Sequence, residues 1–199
     1  MNTFENHERS AADSLQAQLE DAGIDTSTWG TGQAKTLAHL QKEIESGETV
    51  LVTGENGELL RKVVVGGADI FYEAPDGKQY RLKEDRQLFT DGRERRRDLG
   101  QAVSEKMKPD EDPQSAMIRG IREELGISGD ITLTETGTDE HRVTSASYPG
   151  LESQYIRHTY KVVLSDEQFN PEGYTEEQED KSTFFVWEVL PKDDTERVS

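Results

Sequence analysis

The sequence contains no cysteine, which excludes disulfides, thiolate nucleophiles and zinc–sulfur centres. Any metal must therefore be held by oxygen or histidine, and the absence fits a reducing, cytoplasmic address. Long apolar runs are missing too. None approaches the ~20 residues that a membrane helix needs, and the polar start of the chain (Asn2, Glu5, His7, Glu8, Arg9) has no secretory-signal pattern. No membrane association is predicted. Positive charge is scarce, with 23 Lys and Arg against 41 Asp and Glu, giving a formal net charge of −18. Such a surface repels phosphate backbones and argues against duplex nucleic acid as a partner, while leaving a small metal-bound nucleotide open. The charge is also what a highly soluble surface carries. With 32% apolar residues in 199, the chain can bury one substantial core and a small appendage.

The periodicity that is present divides the chain. From about Glu5 to Glu20, Leu15 and Leu19 among polar residues predict a short amphipathic helix stopped at Asp21-Ala22-Gly23. A second helix is predicted from about Gln33 to Glu45, with Leu37, Leu40 and Ile44 on its apolar face and Gly47 beyond its end. Trp29, in the turn between them, is expected to plug this helical pair onto the rest of the fold. The segment Gly30-Thr31-Gly32-Gln33-Ala34-Lys35-Thr36 has the wrong glycine spacing for a phosphate loop and no preceding strand, so Lys35 is expected to be an ordinary surface lysine.

From Thr49 the pattern becomes extended. Residues 50–52, 59–65, 68–72, 80–82 and 87–89 are predicted as strands of an antiparallel meander, separated by turns at Asn56-Gly57, Gly66-Gly67, Asp76-Gly77 and Asp91-Gly92. Further strands are predicted at 131–133, 155–164 and 183–190, with an acidic loop at 170–181. One cationic run interrupts the acidic background: on an extended strand Arg93, Arg95 and Arg97 would share a face and could meet phosphates, or else pair with surrounding acids.

The stretch Arg119-Gly120-Ile121-Arg122-Glu123-Glu124-Leu125-Gly126-Ile127 carries the chemistry. Ile118, Ile121 and Leu125 form an apolar stripe, and Arg119, Glu123 and Glu124 project from the remaining arc. Arg119 stands one turn from Glu123 and can fix its rotamer, leaving Glu124 to face a metal. Adjacent carboxylates at a helix end suit a hard cation such as Mg²⁺ or Mn²⁺.

With Glu111, Arg119, Ile121, Glu123, Glu124, Gly126 and Ile127 in register, residues 105–127 resemble the signature of the Nudix hydrolases. The resemblance implies an α+β fold, the α/β/α sandwich with a mixed sheet, over residues 49–190. It would be preceded by a helical extension, 1–48, and followed by a disordered tail, 191–199. The implied activity is metal-dependent hydrolysis of a nucleoside diphosphate linked to another group. Glu111, Glu123 and Glu124 would be metal ligands, Arg119 the structural arginine, and one of Glu176, Glu177, Glu179 and Asp180 a further ligand. A homodimer is compatible with it.

Two positions depart from the signature: Glu105 stands in place of its opening glycine, and Gly120 in place of a glutamate that serves as metal ligand or general base. The sequence offers no local gain for a glycine inside a helix, where it costs about 1 kcal/mol relative to alanine. Two accounts stay open. Either Glu105 supplies the missing carboxylate, making Glu105, Glu124 and Arg119 the catalytic set, or the domain binds a nucleotide or scaffolds a protein partner without turnover. His141 and His158 are expected to be packing or hydrogen-bonding residues.

Overall fold

The computed structural model describes residues 14–97, 99–108 and 111–191. The architecture is the expected α+β class with a mixed sheet. Its elements are α1 (14–21), α2 (Leu37–Glu45), β1 (Val50–Thr53), β2 (Leu59–Glu73), β3 (Gln79–Phe89), β4 (Glu94–Arg95), β5 (Val103–Lys106), α3 (Pro113–Leu125), β6 (Leu133–Thr144), β7 (Glu152–Leu164), β8 (Tyr174–Glu177) and β9 (Lys181–Val189). Strands pair in the order β6-β7-β2-β3-β9-β8, with β1 and β5 also on β2 and β4 on β3. The first part of the predicted N-terminal helix and the tail from residue 192 lie outside the described residues. No helix among the described residues is long and apolar enough to cross a membrane.

The chain forms two compact units: residues 1–65, 106–111 and 139–157 make unit 1, and residues 66–105, 112–138 and 158–199 make unit 2. In unit 1, Leu15, Leu19, Ile24, Trp29, Leu40, Tyr148 and Leu151 form a core of their own. Trp29 does plug the helical pair: its ring lies 5.1 Å from Tyr148, and its indole N–H donates to the Pro149 carbonyl at 2.9 Å. In unit 2, α3 buries Met117, Ile121 and Leu125 against Ile70, Leu82, Tyr160, Val162 and Phe185 of the sheet. Truncating such a residue costs ~2–5 kcal/mol, so this packing fixes the helix that bears the motif.

The predicted turn at Gly66-Gly67 does not exist, because β2 runs through it unbroken. These glycines serve close approach instead. A Cβ on Gly67 would fall onto the Gln101 side chain, and one on Gly66 would meet Met117 Sδ at 3.3 Å. Likewise, 80–82 and 87–89 are one strand, β3, with an irregularity between Glu84 and Arg86 against β9. Residues 103–106 form strand β5, so Glu105 sits on a strand and not a loop. The acidic loop contains strand β8. Helix α3 starts earlier than its apolar stripe suggests: Asp112 accepts from the backbone N–H of Gln114 and Ser115 at 3.0 Å, with Pro113 in the first turn. Gly126, at φ 65°, caps its end.

Lys35 is not an ordinary surface lysine. It donates to Glu43 at 2.6 Å, and the other carboxylate oxygen of Glu43 takes the buried Arg61 guanidinium at 2.7 Å. Burial pushes the Glu43 proton affinity up, but the hydrogen bonds from Lys35 and Arg61 and the charge of Lys106 outweigh it and bring the pKa down to about 2. A carboxylate whose folded pKa is depressed contributes stability above its unfolded value of 4.5, and loses it as pH falls toward about 2. Parent stability is therefore expected to drop by roughly 2 kcal/mol more than that of Glu43→Gln between pH 5 and pH 2.5. Denaturant midpoints at pH 5 and pH 2.5 check it, and identical slopes for both proteins would exclude the network as the source.

Candidate active site

A cleft of about 380 Å³ opens in unit 2 between α3, β3, β5, β8 and β9. Five carboxylates line it: Glu84 from β3, Glu105 from β5, Glu123 and Glu124 from α3, and Glu176 from β8. Arg97, Lys181, Gln87 and Thr183 complete the polar wall. Local structure puts each acid there. On α3 the apolar face is pinned in the core, so positions 123 and 124 turn outward at the helix end. On β3, Glu84 shares the parity of core residue Leu82 and is carried to the inner face, where it is buried.

Arginines hold most of these acids in place. Arg119 Nη1 reaches Glu105 Oε1 at 3.2 Å and Glu123 Oε2 at 3.1 Å, clamping a strand residue and a helix residue with one guanidinium. Arg97 pairs with Glu84 through both sets of donor and acceptor atoms, its Nε donating at 2.8 Å. Glu124 has no ion-pair partner among the described residues. Burial and the charges of Glu176, Glu105 and Glu84 raise its pKa to about 8, against a smaller lowering by Arg97.

The expected site residues are thus only partly brought together. Glu105, Glu123, Glu124 and Arg97 line the cleft, and Arg119 supports it. Glu111 belongs to unit 1, where its carboxylate accepts from the Lys108 backbone N–H at 3.0 Å; it does not line the cleft. The idea of three arginines on one strand face fails, because β4 is only two residues long. Arg93 pairs with Asp91 at 2.7 Å, and Arg95 donates to Gln87 at 3.0 Å, so of the three only Arg97 faces the cleft. Of the candidate acids at 176–180, Glu176 lines the cleft, while Glu177 accepts from Ser182 at 2.6 Å. His141 and His158 contact Asp139 and Thr138, as hydrogen-bonding residues do. Glu84 and Lys181 were not anticipated. The parity of Glu84 with Leu82 was the available signal; Lys181 had none.

Gly120 has a steric reason. A Cβ there would lie 2.8 Å from Glu105 Cβ.

A divalent cation fits the donor chemistry of this cleft. Five carboxylates face the three cations Arg97, Arg119 and Lys181, an excess of two acids whose charges add to burial in raising the pKa of Glu124. With Glu84, Glu105 and Glu123 turned to arginines, no three acidic or histidine side chains among the described residues converge on one point.

No family model and no curated protein matches the chain. Nudix hydrolases recur among the solved structures similar to it. A C. elegans Ap4A hydrolase is 16% identical, with 68% of this chain and 84% of that chain covered at a TM-score of 0.36. The NUDIX domain of Shewanella oneidensis NrtR, complexed with ADP ribose, is 12% identical over 68% and 77%, at 0.37. The M. smegmatis Nudix hydrolase RenU is 15% identical over 74% and 83%, at 0.35. Identities and TM-scores this low leave the chemistry of this chain to its own residues.

Because Glu84 is 2% exposed at its side chain, removing Arg97 strands a buried carboxylate. Arg97→Met is expected to cost about 1–3 kcal/mol, below the ~3–5 of a fully buried pair because Arg97 itself is partly solvated. Adding Glu84→Gln should recover part of the loss. Thermal melts of the two variants decide, and a double variant no more stable than Arg97→Met would remove the pair from the account of the cleft.

Proposed function

We propose that the protein is a divalent-metal-dependent hydrolase that cleaves the phosphoanhydride bond of a nucleoside diphosphate linked to another group. The observation that carries this reading is Glu124: a partly buried carboxylate among Glu84, Glu105 and Glu176, with its pKa raised to about 8 in a cleft where acids outnumber cations by two. Acids are crowded in this way where charge is to be compensated by a cation or used in proton transfer. The motif resemblance supports the same class, and ADP ribose in the NrtR domain and Ap4A in the C. elegans enzyme's name are substrates or ligands of that chemistry.

In this reading Glu123 and Glu124, joined by Glu176 from β8, would hold Mg²⁺ or Mn²⁺. Bound there, the cation would polarise the diphosphate and neutralise developing charge. Arg97 and Lys181, the cations on the wall, orient the phosphate oxygens. Glu105, its rotamer held by Arg119, takes a proton from the attacking water. The water oxygen forms the new P–O bond, the anhydride P–O bond breaks, and the leaving phosphate departs with the electron pair.

Hydrolysis of capped, sugar-linked and dinucleoside diphosphates, each with Mg²⁺ and Mn²⁺, tests the proposal. The parent should turn over at least one of them. Glu124→Gln should weaken Mn²⁺ binding in titration calorimetry and reduce the rate, and Glu105→Gln should lower kcat by ~10²- to 10⁴-fold. A folded parent that binds neither metal and hydrolyses nothing overturns the proposal and leaves the non-catalytic binding domain.

A further inference from the structure

The contact between β5 and α3 deepens this reading of the cleft and rests on it. Gly120 is buried in the interior of α3. A Cβ there would lie 2.8 Å from Glu105 Cβ, 3.2 Å from Glu105 Cγ and 3.4 Å from Met117 Cε. The first distance is closer than packed carbons tolerate, and it involves the root of the Glu105 side chain, whose place is set by the β5 backbone. A side chain at 120 can be admitted only by shifting β5 or α3, because rotating the Glu105 side chain leaves its Cβ in place. Beyond that contact the Glu105 carboxylate enters the cleft and meets Arg119 at 3.2 Å. Helix propensity alone favours alanine over glycine at position 120, so this glycine is held against the local preference of its own helix.

We infer that Gly120 is the positioning residue for Glu105: the bare helix position lets β5 approach α3 and deliver a carboxylate to the cleft that the helix itself does not supply there. Glycine here is a spatial requirement of the strand. A turn or hinge is not involved, since the position is helical. It follows that α3 cannot gain an acid at 120 while Glu105 is present. Gly120→Glu would bring the two side chains into the same space.

A double-mutant cycle in melting temperature reads the pairing without any substrate. In the parent, Gly120→Ala should lower the melting temperature through the Glu105 contact. In a Glu105→Gly background the contact is gone, and the same substitution should raise it through helix propensity. An increase in both backgrounds overturns the inference. Turnover gives the second readout. Gly120→Ala should reduce kcat at least tenfold with KM little changed, and should leave the residual kcat of Glu105→Gly where it was. Full kcat in a folded Gly120→Ala variant also overturns it. A parent without turnover on the whole panel removes the proposed hydrolase instead, and the melting cycle then judges the Gly120–Glu105 pairing by itself.

Discussion

Mutual repulsion among carboxylates is the constraint that organises the cleft. At an effective dielectric of ~20, two like charges 4 Å apart repel by about 4 kcal/mol, a sizeable fraction of a domain's net stability. Five acids cannot share a space of about 380 Å³ unless most are compensated. The chain compensates three of them internally, with Arg97 on Glu84 and Arg119 shared by Glu105 and Glu123. Guanidinium suits this task because it stays charged and its fork spans two acceptors. What remains falls on Glu124 and Glu176, and at Glu124 burial and the charges of its acidic neighbours together raise the pKa. The stability of unit 2 and the chemistry of its cleft are therefore two views of one electrostatic balance.

Packing transmits that balance to the backbone. Helix α3 is anchored by Met117, Ile121 and Leu125, so its polar residues have no freedom to rotate away from the acids on β3, β5 and β8. The missing side chain at Gly120 sets how near β5 can come, and Arg119 at the next position ties the two elements together. A single guanidinium bridging strand and helix does more than either ion pair alone. It makes the rotamer of Glu105 depend on the same contact that orients Glu123.

Much of the architecture was legible from period and punctuation, and the failures share a cause. The strand at 155–164 and the turns at Asn56-Gly57 and Asp76-Gly77 report local physics that the fold retains. Gly66-Gly67 and Gly120 misled because a glycine looks the same in sequence whether it frees the backbone or makes room for a neighbour. Only the tertiary partner, Gln101, Met117 or Glu105, tells the two apart. The arginine run failed similarly. Its even spacing suggested one strand face, yet Arg93 is claimed by Asp91 two residues away, Arg95 by Gln87, its partner in the β3–β4 pairing, and Arg97 by Glu84. Of the site, the helix-borne acids were readable from their spacing. Glu84, Glu176 and Lys181 come from strands remote in sequence, and no local pattern could nominate Lys181 at all.

The charge of the whole chain gives the cleft a thermodynamic consequence. A protein with a formal net charge of −18 and an acid-lined cleft repels a free diphosphate before any contact is made. For the proposed hydrolase, the two wall cations Arg97 and Lys181 cannot offset that alone, because Arg97 is already committed to Glu84. Substrate affinity must then come largely through the cation that the carboxylates would hold. Linkage makes this reciprocal: whatever factor the cation adds to diphosphate binding, the diphosphate adds to cation binding. An acidic cleft in an acidic protein is for that reason selective in a simple way. In the proposed hydrolase it would discriminate against phosphates that arrive without a divalent partner, through the same excess of negative charge that adds to burial in lifting the pKa of Glu124.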